Sequence, residues 1–148
     1  MINALYVGGN KTGIPEISES NIHLDYVQNG MIALSVVQSG DFDAIIIEDQ
    51  LPLMTPTRLL QELTKINPSI PIISITRSIE RKKQLLQDYK IGLFGYFDPD
   101  NYKIEELIDL LKHAKNLRDF RKELPKTAVR HFSGCLLYTS DAADELLG

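Results

Sequence analysis

The feature that most narrows the fold is a run of four apolar residues, Ala44-Ile45-Ile46-Ile47, that ends abruptly at the acidic pair Glu48-Asp49. No polar residue alternates through it and three of its side chains are β-branched. Such a run suits a strand covered on both faces, the environment of a parallel sheet inside an α/β domain. Parallel neighbours need crossovers, and the chain supplies them by alternating apolar runs with segments of helical period. Ala4 to Val7 forms a first strand closed by Gly8-Gly9, and Ile22 to Val27 a half-buried second one before the turn Asn29-Gly30. A short helix from Met31 to Ser39 ends at Gly40, a position suited to a left-handed cap. Thr55 caps a helix from Pro56 to about Asn67, with Leu59, Leu60, Leu63 and Ile66 on one stripe. Pro71 to Thr76 is a fourth strand. Ser78 to Lys90 is a strongly charged helix whose apolar contribution is Ile79, Leu85, Leu86 and Tyr89. Leu93 to Phe97 is a fifth strand, and a last helix begins near Tyr102. The order predicts an α/β fold with a doubly wound, five-stranded parallel sheet. Fourteen residues separate Val7 from Ile22, with Gly8, Gly9, Gly13 and Pro15 among them, so the first crossover helix is expected to be shortened or lost, with at most Pro15 to Ser20 helical. Ligands and reactions of such sheets lie at the carboxyl ends of the strands, which directs attention to Gly8, Gly9, Glu48, Asp49, Thr76, Arg77, Asp98 and Pro99.

Composition removes several classes of function. The 148 residues carry 16 basic and 20 acidic side chains with no long run of one sign, which argues against bulk-charge binding to nucleic acid or an anionic membrane. The single cysteine, Cys135, has no internal partner, and His23, His113 and His131 are not spaced to gather metal with it, so no structural zinc is expected. No apolar run approaches a membrane span. The start Met1-Ile2-Asn3 lacks the basic and apolar regions of a signal peptide, so a cytoplasmic location is the expectation. Gly8-Gly9-Asn10-Lys11-Thr12-Gly13 follows a strand but has neither Walker nor dinucleotide spacing and reads as a turn. No flavin or cobalamin motif is present, and no cofactor is expected.

The stretch Asp43-Ala44-Ile45-Ile46-Ile47-Glu48-Asp49-Gln50-Leu51-Pro52-Leu53-Met54 resembles the phosphoacceptor loop of bacterial two-component response-regulator receiver domains. In that family a buried strand ends in an aspartate followed four residues later by proline, which puts Glu48 at the acceptor position. Asn29-Gly30 with Ala33-Leu34, Pro71 through Thr76, and Gly95-Tyr96 extend the resemblance over roughly residues 3 to 115. It implies a flavodoxin-like sheet, with Thr76 as the switch hydroxyl and Tyr96 as the aromatic that moves with it.

Receiver chemistry requires an aspartate nucleophile, a magnesium ion held by further carboxylates, a lysine and a hydroxyl. The resemblance puts the family's metal-binding acidic pair at Gly8 and Gly9, and its lysine at Asp98, before Pro99. Lys103 is the nearest lysine. Glu48 is one methylene longer than aspartate, and pleat alternation turns Asp49 to the opposite side of the strand. The chain therefore reads as a degenerate receiver without metal or catalytic residues. It is expected to bind rather than catalyse, and to act in signal transduction independently of phosphorylation. In a sharper variant Glu48 imitates a phosphorylated aspartate by extending charge toward Thr76. Two alternatives stand beside it. One is a phosphoacceptor of a phosphorelay using Glu48 or Asp49 with an unorthodox metal site. The other is a small-molecule-binding domain with a pocket above Gly8 and Thr76.

The resemblance also implies a partner or homodimer surface formed by the charged fourth helix, the fifth strand and the last helix. There Arg77, Arg81, Lys82 and Lys83 could meet Asp98, Asp100, Glu105, Glu106 or Asp109 of a second copy. Residues 116–134 read as a helical extension, halted at Pro125, that leads to an absent effector acting in transcription. Cys135 to Glu145 matches the in-frame translation of a transposase-based sequencing adapter. On that reading residues 135–148 are foreign, and with them go the cysteine and the acids Asp141, Asp144 and Glu145.

Overall fold

The computed structural model describes residues 1–10 and 16–124. In chain order the elements are β1 (Ile2–Val7), β2 (Ile22–Val27), α1 (Gly30–Ser39), β3 (Ala44–Ile47), α2 (Pro56–Ile66), β4 (Ile72–Ile75), α3 (Ile79–Lys83), α4 (Leu85–Ile91), β5 (Gly95–Phe97) and α5 (Ile104–Lys122). The strands form one sheet in the order β2-β1-β3-β4-β5, and every neighbouring pair is parallel. This is the doubly wound arrangement that the apolar runs predict and the flavodoxin-like sheet that the resemblance implies. The readings for Pro125, residues 125–134 and the adapter-like segment 135–148 lie outside the described residues.

Pleat alternation divides the core into two layers. Leu5, Val7, Ile45, Ile47 and Ile72 face α1 and α2 through Ala33, Val37, Leu59, Leu60 and Leu63. Ala4, Tyr6, Ala44, Ile46, Ile73, Ile75 and Phe97 face α5 through Leu107, Leu111 and Ala114. No helix covers β1 and β2 in the described part of their connection. Residues 16–20 are irregular, and Ile17 packs there against the α5-side layer.

Local chemistry sets the helix ends. Asn29 accepts a hydrogen bond from the Ile32 amide, and Thr55 accepts one from the Arg58 amide with Pro56 in the first turn. Gly40 departs from expectation: its φ of −97° is extended rather than left-handed. Space explains the glycine, since a Cβ there would lie 2.6 Å from a ring carbon of Phe42.

The segment from Ser78 to Lys90 is two short helices broken at Gln84 rather than one. The residues read as its apolar contribution are partly outside: Ile79 and Leu86 are 67% and 69% exposed, while Arg81 and Asp88 are buried. Arg81 forms an ion pair with Asp88 and donates to Ser74 Oγ at 3.2 Å and Gln84 Oε1 at 3.1 Å. Thr57 of α2 donates to the other Asp88 oxygen at 2.8 Å. This cluster joins α2, β4, α3 and α4 beneath the carboxyl end of the sheet.

Removing one member of a buried pair strands the other charge. Arg81→Met is expected to destabilise the protein by about 3 kcal/mol in urea unfolding, and adding Asp88→Leu to recover part of that loss. Additive losses in the double variant would show that the pair is not coupled.

Candidate functional site

The sheet register brings the carboxyl ends of four strands nearly level. Val7 pairs with Ile47, and Ile47 with Ser74, so Gly8 emerges beside Glu48, and Thr76 one residue further along, level with Asp49. The Glu48 amide donates to Val7 O at 2.9 Å, and the Thr76 amide to Phe97 O at 2.9 Å, carrying the ladder one residue beyond the strands. Above this edge lies an open cleft of about 570 Å³, walled by Gly9, Asn10, Glu48, Asp49, Gln50, Leu51, Pro52 and Arg77.

Glu48 is buried, and both of its oxygens are engaged. Oε2 accepts a hydrogen bond from the Tyr6 hydroxyl, and Oε1 lies 2.5 Å from Arg77 Nη1. Asp49 is not turned away as strand alternation predicts. β3 ends at Ile47, so the pleat no longer governs it. Its Oδ1 lies 3.7 Å from the same guanidinium nitrogen, and its Oδ2 accepts from the amides of Arg77 and Ser78 at 3.1 and 3.2 Å. One arginine thus serves two carboxylates.

The titration of these groups follows from that arrangement. Burial lowers the affinity of Arg77 for its proton, but the hydrogen bond and charge of Glu48 outweigh it, so the guanidinium holds its proton more tightly than usual. Burial first, and then the Glu48 carboxylate, raise the Tyr6 hydroxyl far above its ordinary range and keep it a donor.

Gly8 and Gly9 hold the positions where the resemblance puts the family's acidic pair, and no side chain fits at the first. A Cβ on Gly8 would lie 2.8 Å from Glu48 Cγ and 3.0 Å from Tyr6 Cε1; one on Gly9 would lie 3.0 Å from Pro52 Cδ. The residues present do not fit a divalent cation. Two carboxylates already share a guanidinium, and among the described residues no group of three or more His, Cys, Asp or Glu side chains could hold a metal.

Thr76 is fully buried, and its hydroxyl donates to Ser74 Oγ at 3.4 Å rather than to Glu48. Tyr96 pairs its hydroxyl with that of Tyr102 at 2.8 Å. Asp98 is also buried. It accepts from Lys82 Nζ at 2.8 Å, Asn101 Nδ2 at 2.6 Å and the Asp100 amide at 3.0 Å. The Lys82 hydrogen bond, then that of Asn101, hold its carboxyl down at about 2.

Of the four cations Arg77, Arg81, Lys82 and Lys83, three are used within the domain. Arg77 turns to Glu48, Arg81 to Asp88 and Lys82 to Asp98, while Lys83 stays exposed. Sequence reasoning missed Tyr6 as a site residue. The available signal was a tyrosine inside a strand buried on both faces, where its hydroxyl must find a partner.

With this geometry in hand, comparison places the chain among known proteins. A family model described as the response regulator receiver domain matches residues 14–112. A protein of Porphyra purpurea named "Probable transcriptional regulator ycf29" is 31% identical over 101 residues, covering 64% of this chain and 46% of that protein. The chain thus spans about half the length of that relative. The chemotaxis response regulator CheY4 of Vibrio cholerae superposes with a TM-score of 0.64 at 21% identity, over 77% of this chain and 98% of that one. The receiver domain of the sensor histidine kinase PA1611 of Pseudomonas aeruginosa, solved with a magnesium ion coordinated in its active-site cleft, superposes with a TM-score of 0.64 at 19% identity, over 78% and 98%. Among the described residues no helix is long and apolar enough to cross a membrane.

Two measurements test the site. Gly8→Ala is expected to cost about 1–3 kcal/mol through overpacking against Glu48, and markedly less in a Glu48→Ala background. Equal costs in both backgrounds would separate Gly8 from Glu48. Because the Asp98 carboxyl is depressed, its stabilisation is complete above the usual carboxylate range. It should be lost as pH falls from about 4 through about 2. Carboxyl NMR should give a midpoint near 2 for Asp98, and Asp98→Asn should remove that part of the acid-unfolding curve.

Proposed function

The chain belongs to the response regulator receiver domain family, and from that premise we propose that it is a pseudo-receiver: a signal-transduction interaction module that works without phosphorylation. The observation that carries this reading is the guanidinium of Arg77 seated against Glu48 and Asp49. An acceptor must present a free carboxylate oxygen in line with the incoming phosphoryl group and a metal to neutralise its charge. Glu48 has no uncommitted oxygen, the acidic-pair positions are glycines, and the lysine position carries a buried aspartate.

The same contacts favour Glu48 as a neutralised internal strut over an imitation of a phosphorylated aspartate. Its charge is spent on Arg77 and Tyr6, and the Thr76 hydroxyl turns to Ser74. The small-molecule alternative gains nothing from Thr76, which is fully buried.

The output then lies in binding. The surface for a partner or second copy is α3 and α4 with β5 and α5, where Ile79, Leu86 and Tyr102 are exposed and Lys83 joins Glu105, Glu106 and Asp109 as outward-facing charge. The module's place is upstream of an effector, in keeping with a relative that is named a transcriptional regulator and of which the match covers 46%.

Treatment of the protein with acetyl phosphate and magnesium, read by intact mass, is expected to leave it unmodified. A stoichiometric, acid-labile phosphoryl adduct on Glu48 or Asp49 would overturn the reading and restore the phosphoacceptor alternative.

A further inference from the structure

The end of the sheet opposite Glu48 carries a second charged cleft. Between the connection from α2 to β4 and the last turns of α5 lies a cavity of about 250 Å³, lined by Asn67, Ser69, Arg118, Arg121 and Lys122. Helical spacing brings the arginines there. Leu107, Leu111, Ala114, Arg118 and Arg121 follow one another at intervals of three and four and form the buried stripe of α5.

The cations of this cleft outnumber its carboxylates. Arg118 donates through Nε to Phe42 O at 3.1 Å and through Nη2 to Asp41 Oδ1 at 2.9 Å. Lys122 lies 3.6 Å from the other oxygen of Asp41, so one carboxylate answers two cations. Arg121 is only 7% exposed, and among the described residues no carboxylate, carbonyl or hydroxyl pairs with it. Burial lowers its pKa to about 10, which leaves it charged at neutral pH. The Arg121 nitrogens still reach water, yet a guanidinium so largely covered is costly without a protein acceptor. An apolar side chain would complete the stripe without that cost. The excess of two positive charges matches a phosphate dianion better than a single carboxylate, and a guanidinium presents paired donors to phosphate oxygens.

We propose that this cleft is a phosphate-binding site in which Arg121 is the principal ligand and Arg118 and Lys122 flank it. The ligand is inorganic phosphate or the phosphate group of a small monoester. The site is separate from the Glu48 cleft and takes part in no phosphoryl transfer.

Thermal unfolding and calorimetric titration of the full chain at fixed ionic strength test this. Inorganic phosphate is expected to bind saturably at millimolar concentration and to raise Tm relative to chloride, in the parent chain and in Arg77→Met alike. Arg121→Met keeps the apolar stem and should lose the effect. Arg121→Lys, which keeps the charge without the fork, should weaken binding severalfold, and Asp41→Asn should tighten it severalfold. Equal affinity for inorganic phosphate and adenosine monophosphate assigns the site to the free anion, tighter binding of the nucleotide to the monoester, and either supports the site. No saturable binding, a Tm gain that survives in Arg121→Met, or a gain lost in Arg77→Met would overturn it. Should Arg121→Met fail to fold, an unchanged affinity in both Arg121→Lys and Asp41→Asn would overturn it equally.

Discussion

Two adjacent carboxylates at the end of a buried strand repel one another, and much of this structure follows from the way Arg77 answers them. Like charges near a protein surface cost more the closer they stand and the less water lies between them. The guanidinium offsets that cost from the end of the neighbouring strand. Its consequences spread in both directions. Glu48, drawn to Arg77, fills the space beside β1, so Gly8 cannot carry a side chain and Tyr6 must point its hydroxyl at the remaining oxygen. Asp49 holds the amides of Arg77 and Ser78, which fixes the start of α3. From that start α3 turns Arg81 inward to Asp88, while Lys82 reaches Asp98.

The sheet was legible because its signal is one of simple exclusion. Ala44 to Ile47 and Ile72 to Ile75 can be satisfied only between two covering layers, and the glycine and proline positions left no room for a full helix between β1 and β2. The burial of charge was not legible. Hydrophobic periodicity treats arginine as solvent-facing, yet Arg81, Arg118 and Arg121 occupy inward positions of their helices and are almost wholly covered. Arg81 and Arg118 do this by burying the long stem while the head finds an internal acceptor, and a distant acceptor such as Phe42 O has no trace in local spacing. For the same reason the charged segment after β4 read as one amphipathic helix, although its inward side is built from an ion pair.

At the site, the residue types were visible in the sequence but their partnerships were not. Gly8, Gly9, Glu48 and Asp98 were visible as departures from the family pattern, and each departure read as a loss. The structure pairs them as exchanges. Where the resemblance puts an acidic pair, Glu48 and Tyr6 fill the volume; where it puts a lysine, a carboxylate stands and Lys82 reaches it from α3. Tyr6 escaped because a tyrosine in an apolar run looks like core, and only its hydroxyl distinguishes it from phenylalanine.

These exchanges bear on how such a domain can signal. A phosphorylatable edge reports a change in charge: it is acidic at rest, gains a phosphoryl group, and moves a hydroxyl and an aromatic in response. Here the counter-charge is covalently part of the chain and cannot leave, so the edge has the same balance at all times. Thr76 and Tyr96 are correspondingly held by Ser74 and Tyr102 rather than by anything in the cleft. One guanidinium against two carboxylates leaves one negative charge over, and on the pseudo-receiver proposal no covalent event at Glu48 changes it. On that proposal the information such a module carries enters and leaves through what docks on its faces, and the cluster beneath the edge ties α2, β4, α3 and α4 together through Thr57, Ser74, Arg81 and Asp88.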